Sequence, residues 1–123
     1  MNYLEQDMIQ KMVDIYKPNG IDWMGTPITK SNPLTYHHIV ERKNGETSVE
    51  NGALLTKSSH RKLNILKSLD KDLYDEWQWL FYAINLSCTK PSYAYYEMMH
   101  ELKEQTNEEI YNKSMKLKKN YWL

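Results

Sequence analysis

The sequence predicts an α+β fold, with two short antiparallel strands and a helix embedded in a mostly helical single domain over residues 1–123. Three observations lead there. Segments on both sides of the middle repeat apolar residues at three- and four-residue steps, the period of an α-helix. Between them, two short runs rich in β-formers flank a polar loop containing Asn44 and Gly45. A chain of 123 residues can bury one modest core but not two.

Leu4, Met8, Met12 and Ile15, flanked by Ile9 and Tyr16, predict a first helix over 3–17. Pro18, Asn19 and Gly20 stop it, because proline restricts the residue before it and glycine supplies turn conformations. From Ile21 to Pro33, Gly25, Pro27 and Pro33 interrupt Trp23, Met24 and Ile28, which predicts a structured connector packed on the core. Leu34 to Glu41 is the first predicted strand, followed by a long polar loop through Asn44 and Gly45. Ala53 to Thr56 is the second strand. Ser58 or Ser59 is the expected cap of a helix carrying His60, Leu63, Ile65 and Leu66.

After Asp70, the spacing of Leu73, Trp77, Leu80, Phe81 and Ile84 predicts a longer helix ending around 88–90, before Pro91, and packed on the first helix. Ser92 to Thr106 and Asn107 to Lys119 are expected as two further helices, the last one charged, with a Tyr121, Trp122, Leu123 tail. There is no internal repeat and no low-complexity block.

Composition narrows the function classes. Sixteen basic and sixteen acidic side chains cancel, so no global field draws the chain to nucleic acid or an anionic membrane, and local patches must do any such work. Cys88 stands alone, which excludes an internal disulfide and a paired-cysteine zinc knuckle and points to a reducing compartment. The acid-bearing start, MNYLEQDMIQKM, is unlike a signal peptide, and no run of about eighteen apolar residues occurs. The expectation is a soluble, cytoplasmic protein with no membrane partner.

Chemistry concentrates between Thr35 and Asn64, which hold His37, His38 and His60 of the four histidines, with Asn51 in the loop. Consecutive strand residues point to opposite faces, so His37 and His38 serve one site only if the strand ends or twists there; one would then ligate and the other act. His60 and Asn64, four apart on a helix, project from one face and can reach one ion together. An imidazole with an amide oxygen suits a borderline divalent ion such as Mn, Zn or Ni and, with waters, tolerates Mg. Such an ion would polarise a phosphate while a neighbouring neutral histidine takes a proton from water.

HHIV at His37 to Val40, ENGALL at Glu50 to Leu55 and SSHRKLN at Ser58 to Asn64 together resemble the HNH endonucleases, whose fold is the ββα-metal finger. The likeness covers about a quarter of the chain, roughly residues 34–67. It implies that His37 and His60 are metal ligands, that Asn64 is a further ligand, that His38 is the general base, and that Asn51 holds the base's strand. It also implies a hydrolase that cuts DNA phosphodiester bonds with one divalent ion (Mg, Mn, Ni or Zn), and a phage or mobile-element origin in a host cytoplasm. The chain departs from members braced by two CxxC pairs, having Ser59 beside His60, and its loop carries one glycine, Gly45. Packing must therefore brace the finger. The other reading is an inactive DNA- or protein-binding module, an inhibitor or assembly factor that keeps the finger as scaffold.

Arg42, Lys43, Lys57, Arg61 and Lys62 surround the site. Arg61 and Lys62, on the site's own helix, are the preferred phosphate contacts, with Arg42 beside the strand. Lys113, Lys116, Lys118 and Lys119, with Tyr121 and Trp122, form an ordinary amphipathic helix end rather than a base-stacking tail. His100, among Met98, Met99 and Leu102, follows no ligand pattern and gets no role. Trp77, Trp79, Phe81 and Tyr82 and the later Tyr93, Tyr95 and Tyr96 are core or helix-interface residues, and any left exposed would form a homo-oligomer surface.

Overall fold

The computed structural model describes residues 2–41 and 43–122, with only the backbone for 119–122. It is a small, mostly helical α+β domain with one two-stranded antiparallel sheet. Helix α1 (Tyr3–Tyr16) leads through an irregular connector to strand β1 (Leu34–His38). A polar loop and a 3₁₀ turn (Val49–Asn51) then enter β2 (Gly52–Thr56), which runs directly into α2 (Lys57–Leu69), followed by α3 (Lys71–Ser87) and α4 (Tyr93–Trp122). Leu34 pairs with Thr56, His37 with Ala53 and His38 with Gly52.

Met8, Met12 and Tyr16 form the buried stripe of α1, while Leu4 and Ile15 face outward. The helix starts on Asn2, whose side chain accepts from the Glu5 amide at 2.8 Å. It lies chiefly on the hairpin rather than on α3 as expected. Tyr16 nevertheless reaches α3, donating its hydroxyl to the Asn85 carbonyl at 2.6 Å. Burial pushes that phenol up to about 12.

Three further expectations are corrected. The first strand ends at His38, three residues short of Glu41, because the side chain of Asn51 takes over the backbone groups of Val40 that a partner strand would otherwise pair. Thr56, not Ser58 or Ser59, caps α2, its hydroxyl accepting from the Ser59 amide at 3.2 Å. Ile65 on that helix is exposed. The two C-terminal helices are one, Tyr93–Trp122, because no proline or glycine interrupts the change from aromatic to charged composition near Asn107.

The core is one cluster drawing on every helix, both strands and the connector. Trp77 and Phe81 stack with ring centroids 5.8 Å apart, and Trp23 meets Tyr16 edge-on at 5.0 Å. Truncating the fully buried Trp77 to alanine costs about 3–5 kcal/mol on the scale of such cavities. Its indole also donates to Thr106 at 2.8 Å, which fixes α4 against α3. Among the described residues no helix is long and apolar enough to cross a membrane.

Candidate active site

The hairpin and α2 are held by the connector. Asp22 is fully buried, with one carboxyl oxygen accepting from the amides of Met24 and Thr26 and the other from the amide and hydroxyl of Thr56. Asn32 accepts from the Ser58 amide at 3.0 Å, and the Pro33 carbonyl accepts from the Lys57 amide at 3.1 Å. With Thr56 on Ser59, the first three amides of α2 are thus satisfied, as a helix start requires. His60 follows in the same turn, so its position is set from residues 22–33.

Thr35 and His37 lie on the sheet face toward α2 and α3, and the pleat sends Tyr36 and His38 to the other. The rings of His37 and His60 stand perpendicular, with centroids 5.2 Å apart. His37 is 7% exposed, against the edge of Phe81 at 5.7 Å. Its Nε2 lies 2.7 Å from Gln78 Oε1, and the Gln78 amide donates to the Ile39 carbonyl at 2.6 Å. His60 Nδ1 lies 3.0 Å from the Thr35 hydroxyl, which donates to the Leu55 carbonyl at 2.7 Å.

Burial, the largest cause, pushes His37 down to about 4. Its bond to Gln78 works the other way, and positive charge at His60, His38 and Lys67 adds to the lowering. Burial likewise lowers His60, against the nearby acid Glu5 and helped by His38. Both imidazoles are therefore neutral at pH 7, the state in which histidine can ligate a metal.

His38, at the last residue of β1, packs edge-on to Tyr36 at 4.7 Å, and its Nε2 lies 2.7 Å from the Thr47 hydroxyl. Asn51 ties the chain beyond it. Its backbone carbonyl accepts from the Ile39 amide at 2.9 Å, and its side chain accepts from the Val40 amide and donates to the carbonyls of Val40 and Glu46. Gly45 lies against this side chain: a Cβ there would stand 2.6 Å from Asn51 Nδ2 and 2.7 Å from the Val40 carbonyl. Asn85, unnoticed in the sequence, secures the other end of the loop by donating to the carbonyls of Val49 and Gly52.

The remaining expected site residues divide. Asn64 is exposed one turn beyond His60. Arg61 is exposed on α2. Lys62, two residues on from His60 and on the opposite side of the helix, reaches Asn107 of α4 at 3.0 Å. The residue on the histidine's side is Lys67, which pairs with Glu41 and holds that carboxyl below its ordinary range. Arg42 and the side chains of Lys119, Tyr121 and Trp122 lie outside the described residues. His100 is exposed, 3.2 Å from Glu104.

A cleft of about 340 Å³ is lined by Ile39, Asp75, Gln78, Trp79 and Tyr82. Trp79 and Tyr82 are 71% and 48% exposed, so the aromatic run of α3 divides between core and surface. Among the described residues no group of three histidine, cysteine or acidic side chains is arranged to hold a metal ion. Comparison of the chain with protein-family models, curated proteins and solved structures found no match.

Proposed function

We propose that the chain is a metal-dependent endonuclease of the HNH type that hydrolyses DNA phosphodiester bonds, with β1, β2 and α2 as its ββα-metal finger. The observation that carries this reading is the meeting of His37 and His60, from strand and helix, with rings 5.2 Å apart and both imidazoles held neutral. Their donor chemistry fits a borderline divalent ion, with Asn64 on the adjoining turn as an oxygen donor. A bound ion would supply Lewis-acid polarisation of the phosphate and stabilise the departing oxygen.

The chain's own residues do the rest. His38, at the end of β1 with its Nε2 2.7 Å from the Thr47 hydroxyl, would take the proton from the attacking water. Asn51 fixes Ile39 and Val40, the residues directly after that base. Arg61 would hold phosphates, with Arg42 a further candidate from the sequence alone.

A second reading, a non-catalytic DNA- or protein-binding module, is favoured by the neutral net charge and by the absence of a carboxylate from the donor set. Plasmid nicking with Mg, Mn, Ni and Zn separates the two. Wild type is expected to cut with metal and stop with chelator, while His38→Ala retains metal and DNA binding but cuts at least about a hundredfold more slowly, the usual scale for a lost general base. Equal cutting by His38→Ala removes the role given to His38. No cutting by wild type with any of the four ions leaves the binding module.

A further inference from the structure

A neutral imidazole carries one N–H and one lone pair, and only the lone-pair nitrogen can bind an ion. Which nitrogen that is follows here from the partners. Gln78 sets its amide nitrogen 2.6 Å from the Ile39 carbonyl, which can only accept, so its amide oxygen faces His37 Nε2 at 2.7 Å. An oxygen there requires Nε2–H and leaves Nδ1 as the lone pair. Turning the amide over would oppose oxygen to oxygen at Ile39 and lose that bond, whichever tautomer His37 then took. At His60, the single hydrogen of the Thr35 hydroxyl goes to the Leu55 carbonyl, so that hydroxyl accepts from Nδ1–H and Nε2 keeps the lone pair.

We infer that Gln78, on α3 and outside the finger, is a positioning residue that presents His37 to a metal ion through Nδ1 and anchors the strand end beside His38 with the same side chain. The inference rests on reading His37 and His60 as metal ligands. Gln78 is 41 residues from His37 and 39 from Ile39 in sequence, so it couples the third helix to both working parts of the finger. Such a bond to the far nitrogen of a ligating histidine fixes its tautomer and ring orientation. It is also part of the bracing that a cysteine-free finger needs. An apolar residue of similar volume at position 78 would keep the packing and lose both bonds, whereas a carboxylate would keep the acceptor for Nε2–H while setting an oxygen against the Ile39 carbonyl, a cost that falls on stability and on the strand end.

The test uses the full chain without metal for nitrogen-15 spectra of the histidine rings, then zinc alone in a competition titration. Wild type is expected to show His37 in the Nε2–H form. Gln78→Met is expected to lose that single form and to bind zinc about 10- to 100-fold more weakly, the range for outer partners of metal ligands. Gln78→Glu is expected to keep both the Nε2–H form and affinity close to wild type. A Met variant that folds and retains wild-type tautomer and affinity overturns the inference. Should that variant not fold, loss of the Nε2–H form in Gln78→Glu overturns it instead. Failure of the metal reading looks different: wild type takes up no zinc while Gln78→Met still alters the His37 ring, so Gln78 fixes the ring but the metal-presenting role falls with the reading it rests on.

Discussion

Thr56 gives both its amide and its hydroxyl to one oxygen of Asp22, each at 2.8 Å, across 34 residues of sequence. The other oxygen takes the amides of Met24 and Thr26, so all four partners of this fully buried carboxyl are donors. Because Thr56 also caps α2, Asp22 sets where the helix carrying His60 begins. Asp22→Ala would strand four donors, three of them buried and each of those costing about 1–3 kcal/mol if left unpaired. The total is expected to reach at least about 3 kcal/mol, less than additive because the connector can relax. Asp22→Asn should not rescue it, since the amide nitrogen would face donors. Urea unfolding checks this, and a shift under about 1 kcal/mol at unchanged m-value would contradict it.

Asn51 offers a sharper comparison, because its two ends do opposite jobs. The oxygen accepts from the Val40 amide, and the nitrogen donates to the carbonyls of Val40 and Glu46. Asn51→Asp keeps the first and sets an oxygen against two carbonyl oxygens. The aspartate variant is therefore expected to be at least as destabilised as Asn51→Ala, by about 0.5–1.5 kcal/mol, the net scale of a typical hydrogen bond. If the nuclease reading holds, it should also nick DNA more slowly. An aspartate variant more stable than the alanine one would show that the amide end does not hold the loop.

What the sequence made legible was whatever repeats. Leu73, Trp77, Leu80, Phe81 and Ile84 recur at helical spacing because one face of α3 is buried, and all five are core residues. His37, His38, Asn51 and His60 were legible as a pattern of types and spacings, and the fold brings His37 and His60 together. The polar contacts that set their poses were not. Asp22 looks like a turn residue in a segment broken by glycine and prolines. Gln78 looks like an exposed helix position, and Asn85 like the end of α3. Each works through partners more than thirty residues away, and a single polar side chain has no period to reveal it. Helix caps failed for a related reason: Thr56 closes an apolar β run, and its hydroxyl becomes a cap only because Asp22 orients it.

Gly52 stands where β2 begins, opposite His38. A Cβ there would lie 2.5 Å from Tyr36 Cε2 and 2.8 Å from Met12 Sδ. The methionine can yield, but the ring of Tyr36 is buried and its hydroxyl donates to the Ser48 carbonyl at 2.7 Å. Gly52→Ala is thus expected to cost about 1–3 kcal/mol through overpacking, without any demand from backbone angles. Displacing Tyr36 would also disturb His38, which packs on it 4.7 Å away. Thermal unfolding together with the His38 ring resonances checks both effects. Unchanged stability would mean that the hairpin and α1 separate more easily than their packing implies.

The pH dependence of stability follows from His37. Burial takes its native value down to about 4, whereas an unfolded histidine titrates near 6.5. Between those values the unfolded chain binds a proton that the native site refuses, so stability rises with pH across the window and is lost as pH falls from about 6.5 towards 4. A gap of that size corresponds to about 3 kcal/mol, fully lost only below the native value. His60, lowered in the same direction, adds to the slope. Carboxylates titrate lower in this range, so the control is His37→Gln, which keeps a polar side chain but cannot take up the proton. Denaturant midpoints measured from pH 7.5 to 4 should fall steeply for wild type and more gently for the variant. Identical slopes in the two proteins would mean that His37 is not the group whose protonation opposes the fold.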